Sequence, residues 1–176
     1  MTSEEIVEKI KNQFGDAVLL AETPLGDAVV HVAPESLVAV AEFAKNDPDL
    51  SCDYLSNISG VDYLDMDREP RFESVYELHS LDKNHSLRLR VGIDEEDPVV
   101  PTVSGLWKGA VFPERELYDL FGIRIEGLPE QRRLIMPENW EGHPLRRDYE
   151  LTVEDVAFSF NRDYKSELVK TKPPTR

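Results

Sequence analysis

Glu114, Glu116 and His143 are the residues of this chain whose types could run acid–base chemistry, with a carboxylate as base and an imidazole as acid. Their spacing argues against it. Two residues apart on a helix, Glu114 and Glu116 point in different directions, and they are better placed to receive arginines from elsewhere. His143 lies in Gly142-His143-Pro144, a rigid turn in which its ring is expected to bond backbone or a nearby carboxylate. A hydrolase or metal enzyme built on Glu114 and His143 would need a cavity of convergent polar groups, and the sequence displays none. His31, His79 and His85 have no close Cys or His at zinc spacing and read as structural or exposed residues. The single cysteine, Cys52, permits no intrachain disulfide and reads as a small core residue. An iron–sulfur cluster held by cysteines alone needs about four thiolates. No GxGxxG, GxxxxGK[ST] or G-x-S-x-G occurs, so nucleotide binding and a serine nucleophile lack support.

The residues left to explain form one stretch, Trp107 to Tyr149. Pro113 suits the first turn of a helix, where its missing N–H needs no partner. Leu117, Leu120 and Phe121 share a face of that helix, Arg115 and Asp119 are spaced to pair, and Gly122 is a natural stop. Ile123 and Ile125 alternate with polar residues as in a short strand. Gly127 to Tyr149 then shows neither period, and Pro129, Pro137 and Pro144 interrupt it. Yet this arm carries Leu134, Ile135, Met136, Trp140, Leu145 and Tyr149, together with the pairs Arg132-Arg133 and Arg146-Arg147. A long irregular segment of that composition is expected to dock on a neighbouring protein, because Trp, Tyr and Arg are enriched at interface hot spots.

PERELYDLFGI (residues 113–123) and RRLIMPENWEGHPLRRDYEL (residues 132–151) resemble two adjoining blocks of the 30 kDa subunit family of respiratory complex I, the proton-pumping NADH–quinone oxidoreductase. Together the blocks span residues 113–151, a little under a quarter of the chain. One departure is Leu128, where the family usually has histidine. The resemblance implies a non-catalytic peripheral-arm assembly subunit that binds no cofactor itself. NADH, FMN, iron–sulfur clusters and quinone would belong to the assembled complex. It implies docking on the large hydrogenase-like partner that helps form the quinone cavity, beside iron–sulfur subunits. It further implies a place on the cytoplasmic side of the cell membrane, reached only through partners. Carried over by residue, Glu114, Arg115, Glu116, Tyr118 and Asp119 would fix the helix. Arg132, Arg133, Trp140, Glu141, His143, Pro144, Arg146, Arg147, Asp148 and Tyr149 would fix the arm and its contacts. The matching component of a membrane-bound hydrogenase, an F420H2 dehydrogenase or a ferredoxin–quinone complex shares these blocks. The implied fold is a small α/β (α+β) domain, two layers of helices on a mostly antiparallel mixed sheet, with an extended C-terminal arm.

Composition agrees with a soluble scaffold. The chain has 176 residues and a formal net charge of −15, which disfavours nucleic acid as a partner. Residues 1–105 hold 8 Lys/Arg against 22 Asp/Glu, whereas residues 106–151 hold 7 against 9, so the acidity belongs to the first module. The acidic N-terminus does not read as a signal peptide, and no apolar run approaches the length of a membrane span.

Taken in order, Thr2 and Glu5 are spaced as a capping box for a helix over 3–14. Residues 17–22 and 28–32 make a hairpin around the Thr23–Asp27 turn, and Pro34 opens a second, largely apolar helix. Leu50 to Val61 reads as a strand, Asp62 to Arg71 as an exposed acidic turn. Glu73–Leu81 and Ser86–Ile93 form the clearest hairpin, with Arg88 and Arg90 on a wet face. Asp94 to Pro101 reads as a loop, and Thr102 to Ala110 as a short helical lead-in. The expected organisation is an α/β domain over 1–125, a docking arm and closing segment over 126–164, and a mobile tail over 165–176.

Overall fold

The computed structural model describes residues 1–150, so the expected closing segment at Leu151–Tyr164 and the tail at Lys165–Arg176 lie outside the described residues. Helix α1 spans Ser3–Phe14. The Thr2 hydroxyl accepts the Glu5 amide at 3.3 Å, and the Glu5 carboxylate accepts the Thr2 amide at 2.8 Å. This reciprocal cap is worth about 1 kcal/mol. Strands β1 (Val18–Glu22) and β2 (Ala28–Val32) form the expected hairpin. Helix α2 (Leu37–Asn46) starts one turn later than Pro34, after a 3-10 turn over Pro34–Ser36.

Strand β3 (Tyr54–Asp62) begins four residues after Leu50, where the sequence predicts a strand to start. Asp47 explains the difference: its carboxylate takes the amides of Asp49 (3.0 Å) and Leu50 (3.1 Å), and Ser51 turns at φ +46°. Strands β4 (Phe72–Ser80) and β5 (His85–Ile93) complete a five-stranded sheet in the order β1-β2-β5-β4-β3. The junction of β2 with β5 is parallel; the other pairings of this sheet are antiparallel. Val99–Pro101, expected as loop, is strand β6, and it pairs in parallel with β7 (Arg124–Glu126).

One core joins Ile6 and Ile10 of α1, Leu37, Val40 and Ala44 of α2, and the alternating inward residues Leu87, Leu89, Val91 and Ile93 of β5. Cys52 is part of this core, as expected of it. The opposite sheet face is drier than its alternation implies. Arg88 pairs with Glu77 at 2.5 Å, Arg90 pairs with Glu73, and Arg68 reaches Glu73 at 2.8 Å, so that Glu73 and Val75 are buried beneath long side chains. His79 and His85 are half-buried rather than exposed. The His79 ring lies 6.4 Å from that of Tyr54, and His85 Nε2 bonds the Leu50 carbonyl at 2.8 Å.

Helix α3 (Val111–Phe121) is set against β3, burying Leu117, Leu120 and Phe121. The approach is close at Gly60, where a Cβ would lie 2.6 Å from the Phe121 ring. Gly122 ends the helix in the left-handed region at φ +73°. Gly60→Ala is expected to destabilise the chain by about 1–3 kcal/mol through overpacking, read as a lowered urea midpoint. An unchanged midpoint would show that α3 is not held this tightly.

Candidate functional site

The irregular arm, Gly127 to Glu150, folds back over α3, and the carboxylate of Asp119 is the centre of the contact. Asp119 sits in the last turn of α3 with its side chain 0% exposed. Its Oδ2 accepts three consecutive amides, those of Leu134 (2.9 Å), Ile135 (2.6 Å) and Met136 (2.9 Å). Its Oδ1 accepts the Arg133 guanidinium at 2.8 Å. Burial pushes this carboxyl up, but the Met136, Ile135 and Leu134 amides and Arg133 outweigh it and hold it below the usual aspartate range. Arg115 and Asp119 do not pair as their spacing predicts. Arg115 instead donates to the carbonyls of Arg132 (3.1 Å) and Arg133 (2.9 Å), so both helix residues spend their polar groups on the arm.

A second layer of bonds closes the arm on the helix end. Arg133 also donates to the carbonyls of Trp140 (2.8 Å) and Gly142 (3.1 Å). His143 Nδ1 donates to the Asp119 carbonyl at 3.0 Å, which fixes its tautomer because a carbonyl only accepts. Burial lowers the His143 pKa, helped by the nearby Arg146 and Arg133 and opposed by the bond to the Asp119 carbonyl. Arg146 donates to the Phe121 carbonyl at 2.5 Å and lies over the Phe72 ring. A Cβ at Gly122 would sit 2.6 Å from both His143 and Arg146, so this glycine serves the arm as well as the helix stop. The Tyr118 ring meets His143 edge-on at 6.3 Å, and the Tyr149 amide bonds the Arg146 carbonyl at 3.1 Å.

The far end of the arm is held by residues that sequence reasoning missed. Asp62 and Arg71, expected at the ends of an exposed turn, are both buried. They pair at 2.9 Å, and Arg71 also reaches Glu95 (2.5 Å) and Asp148 (2.9 Å). Asp62 takes the amide of Arg147 at 2.9 Å. Burial raises the Asp62 carboxyl, yet Arg71 and the Arg147 and Leu64 amides bring it down to about 2. No local period marks such a pair; the only sequence clue is two opposite charges bounding a turn.

Glu114 is the clearest correction. It receives no arginine: fully buried, its carboxylate accepts Thr102 Oγ1 and the Val103 amide, each at 2.6 Å, and so fastens α3 to the segment after β6. Burial pushes its pKa up. Glu116 points to solvent, Glu141 is exposed, and Pro144 is half-buried. Arg132 is largely exposed and pairs with Glu130 at 3.0 Å. The acid–base pairing of Glu114 with His143 is not formed, since the two side chains serve different contacts. Leu128, at the departure from the family pattern, packs against the core as an apolar side chain. The arm is therefore covered in part by its own domain. Ile135 (59%), Leu145 (50%) and, on α3, Phe112 (61%) remain exposed.

Asp119→Asn should destabilise the chain by about 2–3 kcal/mol, because the buried bonds lose their charge. The acid profile carries a sign. Asp62 and Asp119 are depressed in the folded state, so their contribution is complete above the ordinary carboxylate pKa of 3.8 and is lost as pH falls below it, for Asp62 toward about 2. Unfolding followed by circular dichroism should show stability falling across that window, and Asp62→Asn should flatten the fall.

Comparison with known proteins reaches the same segment and beyond it. The profile of the family described as "Respiratory-chain NADH dehydrogenase, 30 Kd subunit" matches residues 30–155. The C subunit of NADH-quinone oxidoreductase from Roseiflexus sp. (strain RS-1) is 48% identical over 158 residues, covering 90% of this chain and 90% of the relative. The protein of the same name from Geobacter sulfurreducens is 38% identical, covering 85% and 90%. Among solved structures, "Nqo5 of the trypsin-resistant fragment (1-134)" superposes with a TM-score of 0.62 at 35% identity, over 72% of this chain and 97% of that one. A chain of the "membrane-bound sulfane sulfur reductase (MBS), an archaeal respiratory membrane complex" has a TM-score of 0.68 over 84% and 85%, but at 21% identity it shares the fold alone. By profile, sequence and fold together, this chain belongs to the 30 kDa subunit family of respiratory-chain NADH dehydrogenase, which holds the C subunits of NADH–quinone oxidoreductases.

Proposed function

We propose that the chain is a non-catalytic peripheral-arm subunit of a proton-pumping NADH–quinone oxidoreductase, docking on the large hydrogenase-like subunit at the quinone site. The observation that carries this reading is 48% identity, across nine-tenths of both chains, to a protein named as the C subunit of that enzyme. The geometry supports it. The acidic and basic groups of the two sequence blocks are committed to fastening the arm: Asp119 to amides, His143 to a carbonyl, Glu114 to a hydroxyl and an amide. Such groups shape a surface rather than act on a substrate. That surface leaves Ile135 and Leu145 uncovered on a rigidly fastened arm, as an apolar anchor for a partner requires.

In this reading NADH, FMN, iron–sulfur clusters and quinone are bound by the other subunits, and this chain contributes position. None of its described helices is long and apolar enough to cross a membrane. Attachment to the cytoplasmic side of the cell membrane would then run through partners. Trp140 is half-buried, its main-chain carbonyl is bonded to Arg133, and its indole Nε1–H has no hydrogen-bond partner among the described residues, so it stands with Ile135 and Leu145 as the partner-facing anchor.

Purification under native conditions should recover the large hydrogenase-like subunit with this chain, and a chain that stays monomeric in its own cell extract would overturn the proposal. The double variant Ile135→Asp/Leu145→Asp should cut recovery of the complex by about tenfold or more, a loss typical of interface anchors. Its isolated melting temperature should stay close to that of the parent, since both side chains face solvent.

A further inference from the structure

A groove of about 300 Å³ runs between β3 and the first turns of α3, lined by Leu55, Ser56, Asn57, Phe112, Glu116 and Leu134 among others. Strand β3 is last in the sheet order, so one side of its backbone has no neighbouring strand. Among the described residues, no backbone hydrogen bond reaches that side between Leu55 and Val61. Edge strands of soluble proteins are commonly blunted by lysine, proline or a covering segment. Beyond the irregularity at Ser56, Asn57 to Val61 carries no lysine and no proline. An open strand edge beside a helix is the arrangement that takes up an extended polypeptide, whose main chain bonds the edge while alternate side chains enter the groove.

The lining states what that polypeptide must carry. Phe112 is 61% exposed and faces the groove together with Leu55 and Leu134, so an apolar side chain would be accepted there. Among the described residues, Glu116 is the one charged member of the lining, is exposed, and makes no ion pair, so the complementary charge is a cation. A second copy of this chain would bring its own Glu116 to a groove of the same sign, on a chain of net charge −15, which disfavours self-pairing. We propose that β3 receives an extended segment of a neighbouring subunit as a sixth strand, with an apolar side chain against Phe112 and Leu55 and a Lys or Arg beside Glu116. The inference rests on the reading that the chain works within an assembly, and it adds a contact at the β3 edge, adjoining the arm at Leu134.

Hydrogen exchange on the whole chain alone and on the purified complex tests it. The outward amides of Leu55–Val61 should exchange at least about tenfold more slowly in the complex than in the isolated chain. The variant Phe112→Asp/Glu116→Lys should abolish that added protection and lower the melting temperature of the isolated chain only slightly, since both positions are exposed and the Phe112 ring loses only its contact with the Arg115 guanidinium, 5.9 Å away. If partners co-purify but these amides exchange equally fast in both samples, strand addition is refuted while the subunit reading stands. If no partner co-purifies, the subunit reading itself falls, and this inference with it. Protection that appears in the isolated chain and grows with its concentration would identify a second copy as the occupant and overturn the proposal.

Discussion

A buried carboxylate cannot be left without partners, and in this protein Asp119 is given four that all lie on the arm: three successive amides and one guanidinium. The requirement works in both directions. Helix α3 can bury Asp119 only if Arg133 to Met136 are in place, and those residues, which have no strand or helix of their own, are held by Asp119 at three amides and by Arg115 at the Arg133 carbonyl. An irregular segment is thereby given a defined shape without regular secondary structure. The core beneath α3 inherits the same dependence, because Leu117, Leu120 and Phe121 are buried by the same helix that carries the carboxylate.

The arm's four arginines divide accordingly. In each Arg-Arg pair one member turns inward and one outward. Arg133 and Arg146 spend their guanidinium groups on Asp119 and on carbonyls at the end of α3, whereas Arg132 and Arg147 have exposed side chains. Planar, multi-donor guanidinium groups suit the inward task, since one side chain can bond several carbonyls that a lysine would reach singly. The outward pair leaves positive charge on a protein whose first module is strongly acidic.

How much of this could be read from the residues alone depends on whether the signal is local. The capping box at Thr2 and Glu5, the turn at Thr23–Asp27, the alternation along β5 and the stop at Gly122 all depend on neighbours a few residues away, and all stand where their spacing places them. The Arg115–Asp119 pairing does not form because a buried helix face offers better partners, namely backbone groups of the arm, than a neighbouring turn. Glu114 departs from its expected role for the same reason: its partners Thr102 and Val103 precede the helix and carry no charge to advertise them. The clasp of Asp62 on Arg147 joins residues 85 positions apart, a relation that no period or motif encodes. The short β6–β7 ladder escapes notice because three residues are too few to show alternation.

The parallel junction between β2 and β5 has a bearing on how the chain reaches this state. It divides the sheet into two ribbons, β1-β2 and β3-β4-β5, whose strands are joined by connections local in sequence, the longest being residues 63–71. The junction itself pairs Ala28–Val32 with Leu87–Val91 and can form only after more than fifty intervening residues have been gathered in. Loop-closure entropy makes such a contact late and slow relative to the hairpins. Only the joining of the two ribbons seals the interior, so until β2 meets β5 the greasy inner faces are open to unwanted association.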